Sequence, residues 1–550
     1  MRSTLDLSKK KILIIDDQKT FQVMLKSMLL NLGALQVVTA PSGEAGLASH
    51  RQHRFDILLV DYHLGRGKNG RQVLEELKYK RLLRPDGVFI LVSAENTRPM
   101  ILSAIELQPD DYLMKPFSSS VLKSRLERAF RKRVTLRKVY HHLYRREYQA
   151  CIEACNEHIA QEGRYKNFCL QLASELYLRV GKVDEAEQAV QVLLDEQRFS
   201  WAVLELAHIK FKKGDYEDCL PLIEEVIQSN SNAVEAFDLR AKVYEQLKNA
   251  EQALNAARRA VSLAPFSIQR QTYLAHLARH NQQFDLAKQA MGQVVELSRK
   301  SVHRDPKHLC TYIRSILDAA ENSETEHQVK RYQQDATLAL QRSRTEESLV
   351  YSKFDYKTLE SAVMARINAY NGQLREAQEN MQGVISGFLE QGYEIPKEVT
   401  PDIIIALLDI GEFERAEALS NHILADLEVD PYNKELLSSR LKGCKEQRSS
   451  FKEANKQGIQ AYTEGDYLAS IQHFEQALKL APLNSGAALN YIQAALKMFE
   501  QKKSESAFLH SECERCFRII EGLSLPKAHH RRYMQLKADY EVVVQGNGLG

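Results

Sequence analysis

Phe55-Asp56-Ile57-Leu58-Leu59-Val60-Asp61 is a short apolar run that stops on a carboxylate. A run of this length between polar flanks reads as a buried strand. The same pattern recurs on both sides of it. Ile12-Leu13-Ile14-Ile15 is followed by Asp16-Asp17, Leu35 to Ala40 forms a second strand, Val88 to Val92 leads to Ser93, and Asp111-Tyr112-Leu113-Met114 runs into Lys115-Pro116. Helical spacing fills the gaps: Phe21, Met24, Leu25, Met28 and Leu29 mark a helix over 19–31, Gly43 to His50 is a short one, and a last helix spans about 118–133. Near-continuous apolar strands separated by helices predict a parallel sheet covered on both faces, here doubly wound α/β with five strands. In such sheets a ligand lies beyond the carboxyl ends of the strands. Asp16, Asp17, Asp61, Ser93 and Lys115 all sit at those ends, so polar residues from four strands converge there.

The strand signal stops near residue 131, and the remainder reads helix, turn, helix. It also repeats. Gly181-Lys182-Val183-Asp184-Glu185-Ala186 has counterparts at Gly214 to Cys219, Asn249 to Ala253, Gln283 to Ala287 and Glu147 to Cys151. The small residue falls at 151, 186, 219, 253 and 287, a step of 33 to 35. Two helices per unit of about 34 residues is the tetratricopeptide signature. Small residues are required where the helices of a hairpin cross closely, and Pro265 and Pro482 stand where second helices end. Gln457 through Pro482 forms the clearest unit, with Ser470 in the usual Ala place. Two more units centre on Gly372 to Ala377 and Gly411 to Ala416. The expected organisation is an α/β domain over 1–131, repeats over 132–300, a degenerate or lengthened helical stretch over 301–357 and repeats over 358–550. No Gly/Ser- or Pro-rich linker separates the first domain from the repeats.

The first quarter of the chain resembles a CheY-like two-component receiver domain, of flavodoxin-like fold. The resemblance rests on Asp16-Asp17, Asp61, Ser93 and Lys115-Pro116, with Tyr112 at the aromatic switch position. Asp61-Tyr62-His63-Leu64-Gly65, then Gly70, resembles the acceptor loop, although Gly65 replaces the frequent Pro and the loop is one residue longer. The resemblance implies that Asp61 is the phosphoacceptor and that Asp16, Asp17, Asp61 and the His63 backbone carbonyl hold Mg²⁺. Ser93, Lys115 and Tyr112 would contact the phosphoryl group or respond to it. A Lys115-Pro116 peptide in the cis form would aim the lysine. A sensor histidine kinase or phosphotransfer protein would supply the phosphoryl group, and the receiver could pair with a second copy of itself.

The chemistry is consistent with those residue types. Three clustered carboxylates repel one another unless a cation intervenes. Hard oxygen ligands suit Mg²⁺, and phosphoryl transfer needs positioning and charge neutralisation above all. A carboxylate can then act as the nucleophile. The expected whole is a phosphorylation-controlled response regulator whose all-α tetratricopeptide superhelix binds a protein target in its groove. It is not an enzyme on this reading, because no catalytic constellation follows residue 131.

Composition bounds the alternatives. The 550 residues, 44% hydrophobic and 27% charged, describe a folded multidomain chain. Few glycines and prolines argue against a mostly β protein. A net charge of +3 argues against nucleic acid as the main partner. The alternative is a nucleic-acid-binding regulator built on residues 121–146, which hold ten Lys/Arg and one acid, Glu127; a solvated helix face is the plainer account. Cys513-Glu514-Arg515-Cys516, with His510 nearby, lacks a second ligand pair for zinc and reads as core, as do Cys151 and Cys155. His141-His142 reads as helix, and Trp201 as packing. No apolar run approaches a membrane span and the N-terminus has no leader pattern, so the expected location is the cytoplasm.

Overall fold

A computed structural model describes residues 6–345, 354–391, 395–425, 430–500, 507–521 and 527–546. Two compact units emerge, Met1–Asp305 and Pro306–Gly550. The expected boundary at 131 lies inside the first of them.

The first unit opens with β1 (Lys11–Ile15), α1 (Lys19–Asn31), β2 (Gln36–Ala40), α2 (Gly43–His53) and β3 (Ile57–Asp61). It continues with α3 (Gly70–Tyr79), β4 (Val88–Ser93), α4 (Arg98–Ile105), β5 (Asp111–Met114) and α5 (Ser119–Thr135). The five strands are parallel in the order β2-β1-β3-β4-β5. Strand side chains alternate between two cores. Leu13, Ile15, Leu58, Val60, Phe89 and Leu91 face α2, α3 and α4 through Leu47, Leu74, Leu77 and Met100. Ile12, Ile14, Ile57, Leu59, Ile90 and Val92 face α1 and α5 through Leu25, Leu29, Leu122 and Leu126. Both faces are thus covered, which explains why the strands read as apolar runs.

α2 outruns its sequence expectation, and α5, expected to about 133, runs through the expected domain boundary at 131. α2 continues past His50, which is buried and places Nε2 3.1 Å from the Leu82 carbonyl oxygen. α5 continues past residue 131 because Arg133 is tied to Asp110, with Nε 2.6 Å and Nη2 3.0 Å from its carboxylate oxygens. Leu136 then ends α5 and begins α6 (Arg137–Arg145), so the sheet domain passes into the repeats without a linker.

Five helical hairpins complete the unit. They pair α6 with α7 (Tyr148–Ala160), α8 (Lys166–Arg179) with α9 (Val183–Glu196) and α10 (Ser200–Lys213) with α11 (Tyr216–Ser229). α12 (Val234–Gln246) pairs with α13 (Ala250–Leu263), and α14 (Ile268–His280) with α15 (Phe284–Ser298). The small residues Cys151, Ala186, Cys219, Ala253 and Ala287 are fully buried. Five positions before each lies a left-handed residue: Arg146 (φ 58°), Gly181 (φ 80°), Gly214 (φ 89°), Lys248 (φ 58°) and Gln282 (φ 58°). The turn geometry is therefore common to all five hairpins, although only two have the glycine that adopts it without steric cost. Trp201 in α10 stacks on Phe199 and packs against the repeat core, as expected.

The second unit begins with two long helices, Pro306–Glu321 and Glu326–Thr345, in the stretch that lacks the repeat motif; residues 346–353 of that stretch lie outside the described residues. Gly372, Gly411 and Gly465 restore the left-handed turn, five residues before the buried Ala377, Ala416 and Ser470. Ser470 replaces alanine without leaving a bare hydroxyl, because Oγ donates to the Gly458 carbonyl oxygen at 2.8 Å. The first helix of the unit also carries an unforeseen feature. Arg314, on Pro306–Glu321, and Arg366, on Tyr356–Tyr370, are wholly buried and both bond Asp402. Cys513 and Cys516 are buried free thiols on Ala507–Glu521, and His510 accepts from or donates to the Tyr540 hydroxyl at 2.6 Å.

Candidate functional site

The carboxyl ends of β1, β3, β4 and β5 bring the predicted residues together. Asp16 and Asp17 follow β1, Asp61 ends β3, Ser93 ends β4 and Lys115 follows β5. A carboxylate oxygen from each of Asp16, Asp17 and Asp61 lies within 4.8 Å of the others, the sole such grouping of potential metal ligands among the described residues. Asp16 and Asp61 are buried and Asp17 is exposed, so the cluster opens to solvent on one side. The donor set is all hard oxygen, which fits a divalent cation such as magnesium.

Local structure holds each carboxylate in place. Asp16 Oδ1 accepts from the Gln18 backbone N–H at 2.8 Å, which fixes the turn between β1 and α1. Gln22, buried on α1, donates Nε2 to the Asp16 carbonyl oxygen at 2.6 Å. Gly70 begins α3 so close to the end of β3 that a Cβ there would lie 2.3 Å from the Asp61 carbonyl oxygen. Any side chain at that position would push β3 away from α3.

Lys115 supplies the cluster's cation. Its Nζ lies 2.8 Å from Asp16 Oδ2 and 3.2 Å from Asp61 Oδ2, and 3.8 Å above the centre of the Phe21 ring. The Lys115-Pro116 peptide is cis. One ammonium does not balance three carboxylates. Burial pushes the Asp61 carboxyl up to about 6; Lys115 works against this and Asp16 adds to it. A divalent cation would reverse that balance.

The remaining predicted residues form a strip beside the carboxylates. Ser93 is fully buried and its Oγ accepts from the Glu95 backbone N–H at 3.1 Å. The Tyr112 hydroxyl donates to the Glu95 carbonyl oxygen at 3.2 Å. Burial raises the Tyr112 phenol above its ordinary value, and a hydrogen bond to Ser93 acts the other way. The His63 side chain is exposed and its Nε2 stands 3.2 Å from Glu95 Oε1. Glu95 thus touches Ser93, Tyr112 and His63, a role the sequence reading missed. Gln22 and Phe21 were missed too; a polar Gln on the apolar stripe of α1 was the available signal.

About half of the basic residues in the stretch 121–146 have partners within the protein. Arg125 and Arg128 pair with Asp111 at 3.3 and 2.6 Å, and Arg133 pairs with Asp110. Lys132 stands 3.6 Å over the Phe168 ring, and Lys138 pairs with Glu157. These contacts remove much of the free positive charge that a phosphate backbone would need. Lys123, Arg131, Arg137, Arg145 and Arg146 remain exposed, in keeping with the plainer account of a solvated helix face.

Comparison with known proteins gives the family. Residues 12–127 match the response regulator receiver domain model, and residues 204–268 match a tetratricopeptide repeat model. The chemotaxis protein CheY of Pseudomonas aeruginosa is 32% identical over 120 residues, which cover 22% of this chain and 95% of that protein. Chemotaxis protein CheY-3 of Vibrio cholerae is 29% identical over 120 residues, covering 22% of this chain and 91% of that protein. Among solved structures, a CheY-like receiver domain protein of Methanospirillum hungatei is 25% identical, covers 23% of this chain and 97% of that one, and has a TM-score of 0.21. No described helix is long and apolar enough to cross a membrane. The chain belongs to the response regulator receiver family and carries tetratricopeptide repeats beyond its receiver domain.

Proposed function

We propose that this protein is a phosphorylation-controlled response regulator that acts by binding a protein target through its repeats. A sensor histidine kinase or phosphotransfer protein offers a phosphohistidine. The Asp61 carboxylate attacks phosphorus, the nitrogen–phosphorus bond breaks, and the histidine nitrogen leaves with the bonding pair. Magnesium held by Asp16, Asp17, Asp61 and the His63 backbone carbonyl supplies the charge neutralisation that the three carboxylates call for. Lys115 is placed to meet one phosphoryl oxygen, and Ser93 another, with Tyr112 following Ser93. The chain receives and relays the signal in the cytoplasm and performs no further catalysis of its own.

The observation that carries this reading is the Asp16, Asp17 and Asp61 cluster with Lys115 bonded into it. Incubation with acetyl phosphate and magnesium should add one phosphoryl group, read by intact mass or phosphate-affinity electrophoresis. Asp61→Asn should remove that addition. A variant that still takes up phosphate would place the acceptor elsewhere.

A further inference from the structure

In the first unit, α4 of the receiver lies against the repeats. Leu102 packs on Val234, Phe237, Ala260, Leu263 and Ala264, which belong to α12, α13 and the turn after it. Phe266, just beyond that turn, packs in return on the receiver core beneath α4. One turn after Leu102, Glu106 accepts a charged hydrogen bond from Arg270 of α14, Oε1 to Nη2 at 2.5 Å. Arg270 is itself held in place: Nε lies 2.9 Å from Asp238 Oδ1, Nη2 lies 2.7 Å from Asp238 Oδ2, and Nη1 donates to the Ala264 carbonyl oxygen at 2.8 Å. It is only 9% exposed. The carboxylates around it hold the guanidinium in its charged form.

A buried Arg fixed from two sides, with its remaining N–H aimed at a carboxylate, is built to read that carboxylate. Beside it lies the apolar seat of Leu102, a hollow lined by Val234, Phe237, Ala260, Leu263 and Ala264. Leu102 and Glu106 are spaced i, i+4, so one helix face presents both. We infer that the hollow bounded by α12, α13 and α14 is the target-binding site of the repeats, and that its ligand is a helix with an apolar residue and a glutamate four positions later. In the unphosphorylated protein the receiver's own α4 occupies it as an internal mimic of that helix. This rests on the reading that the repeats bind a protein target, but not on phosphorylation.

The acceptor loop is tied to the same end of the repeats. Lys68 Nζ donates to the Lys300 carbonyl oxygen at 2.5 Å, and Lys300 Nζ donates to the Arg66 carbonyl oxygen. Ser301 Oγ donates to Glu75 Oε2 at 2.7 Å. A change in the loop after Asp61 therefore reaches the residues that follow α15, in the hairpin that α14 opens.

The test uses the full-length protein without phosphodonor or magnesium, so it stands apart from the assignment of Asp61. The probe is a fluorescent synthetic peptide of residues 97–109, with binding followed by anisotropy. Wild-type protein, its hollow filled, should bind the peptide weakly. Glu106→Arg, which sets a like charge against Arg270, should bind it at least tenfold more tightly. Against that opened protein, peptides carrying Leu102→Ala or Glu106→Gln should each lose at least tenfold. The peptide variants keep the test independent of any folding defect. Equal binding by wild type and Glu106→Arg would overturn the internal mimic. Indifference to both peptide changes, or no binding by the opened protein, would overturn the recognition site.

Discussion

Lys115 stands nearer to Asp16 than to Asp61: its Nζ is 2.8 Å from the first carboxylate and 3.2 Å from the second. Its charge is shared, so Asp61 remains underneutralised in a buried place. That imbalance sets the first two expectations.

Asp61 has its carboxyl pushed up to about 6 in the folded protein, against about 3.9 for an unfolded chain. A raised carboxyl favours the folded state when protonated, so its contribution is full below about pH 4 and is lost as pH rises through about 6. Asp61→Asn should therefore stabilise the receiver at pH 7.5 by as much as about 3 kcal/mol and by little at pH 4. Melting temperatures of both proteins across pH 4–8 measure this. A gap that did not widen with pH would show that burial does not strain the acid.

Magnesium should raise the melting temperature of the wild-type protein at pH 7.5. At [Mg²⁺] one hundred times Kd the gain is about 2.7 kcal/mol. It should be small at pH 4.5, where Asp61 is protonated, and reduced in Asp16→Asn. Equal shifts in all three cases would mean that the metal acts elsewhere.

Lys248→Gly and Gln282→Gly should each stabilise the repeats. Both native residues hold φ of 58°, a conformation that costs about 1–2 kcal/mol with a Cβ. Glycine removes that cost but adds freedom to the unfolded chain, so a net gain of about 0.5–1 kcal/mol is expected. Gly181→Ala should do the reverse at an equivalent turn. Thermal melts decide, and a lower melting temperature for both glycine variants would refute the account.

Asp402→Asn should cost the second unit about 3–5 kcal/mol. Asp402 is the shared partner of Arg314 and Arg366, which are wholly buried. Glu321 still pairs with Arg366, and Asn433 still accepts from Arg314, so the loss is partial. Limited proteolysis should begin within 306–550, while phosphate uptake at Asp61 stays intact.

Hydrogen exchange with and without beryllofluoride should change protection in residues 234–303 as well as around Asp61. Glu106, Lys68 and Glu75 all touch that stretch. A response limited to residues 118–200 would favour α5 and α6 as the route, and one confined to the acceptor site would rule out both.

The receiver was legible because each candidate side chain stands at the end of an apolar strand, where sequence order alone brings the ends together. The repeat register was legible from one small residue per hairpin. Glu106 and Arg270 were not, since they lie 164 positions apart and neither belongs to a motif. The basic run of 121–146 gave its charge but not its partners, because Asp110 and Asp111 sit on a different element. Arg314 and Arg366 were hidden for the opposite reason: a charged residue reads as exposed until the acid that accompanies it into the core is known.

The shared residue Leu136 and the Arg133–Asp110 pair make the receiver hard to excise. A cut after residue 131 strands Asp110, buried at its side chain, without its guanidinium and removes the last turn of α5. A fragment ending near 146 keeps that pair yet bares the apolar side of α6. The chain therefore behaves less as interchangeable cassettes than as one piece through at least the first hairpin, and swapping in another receiver would require carrying α6 and its partner α7 with it.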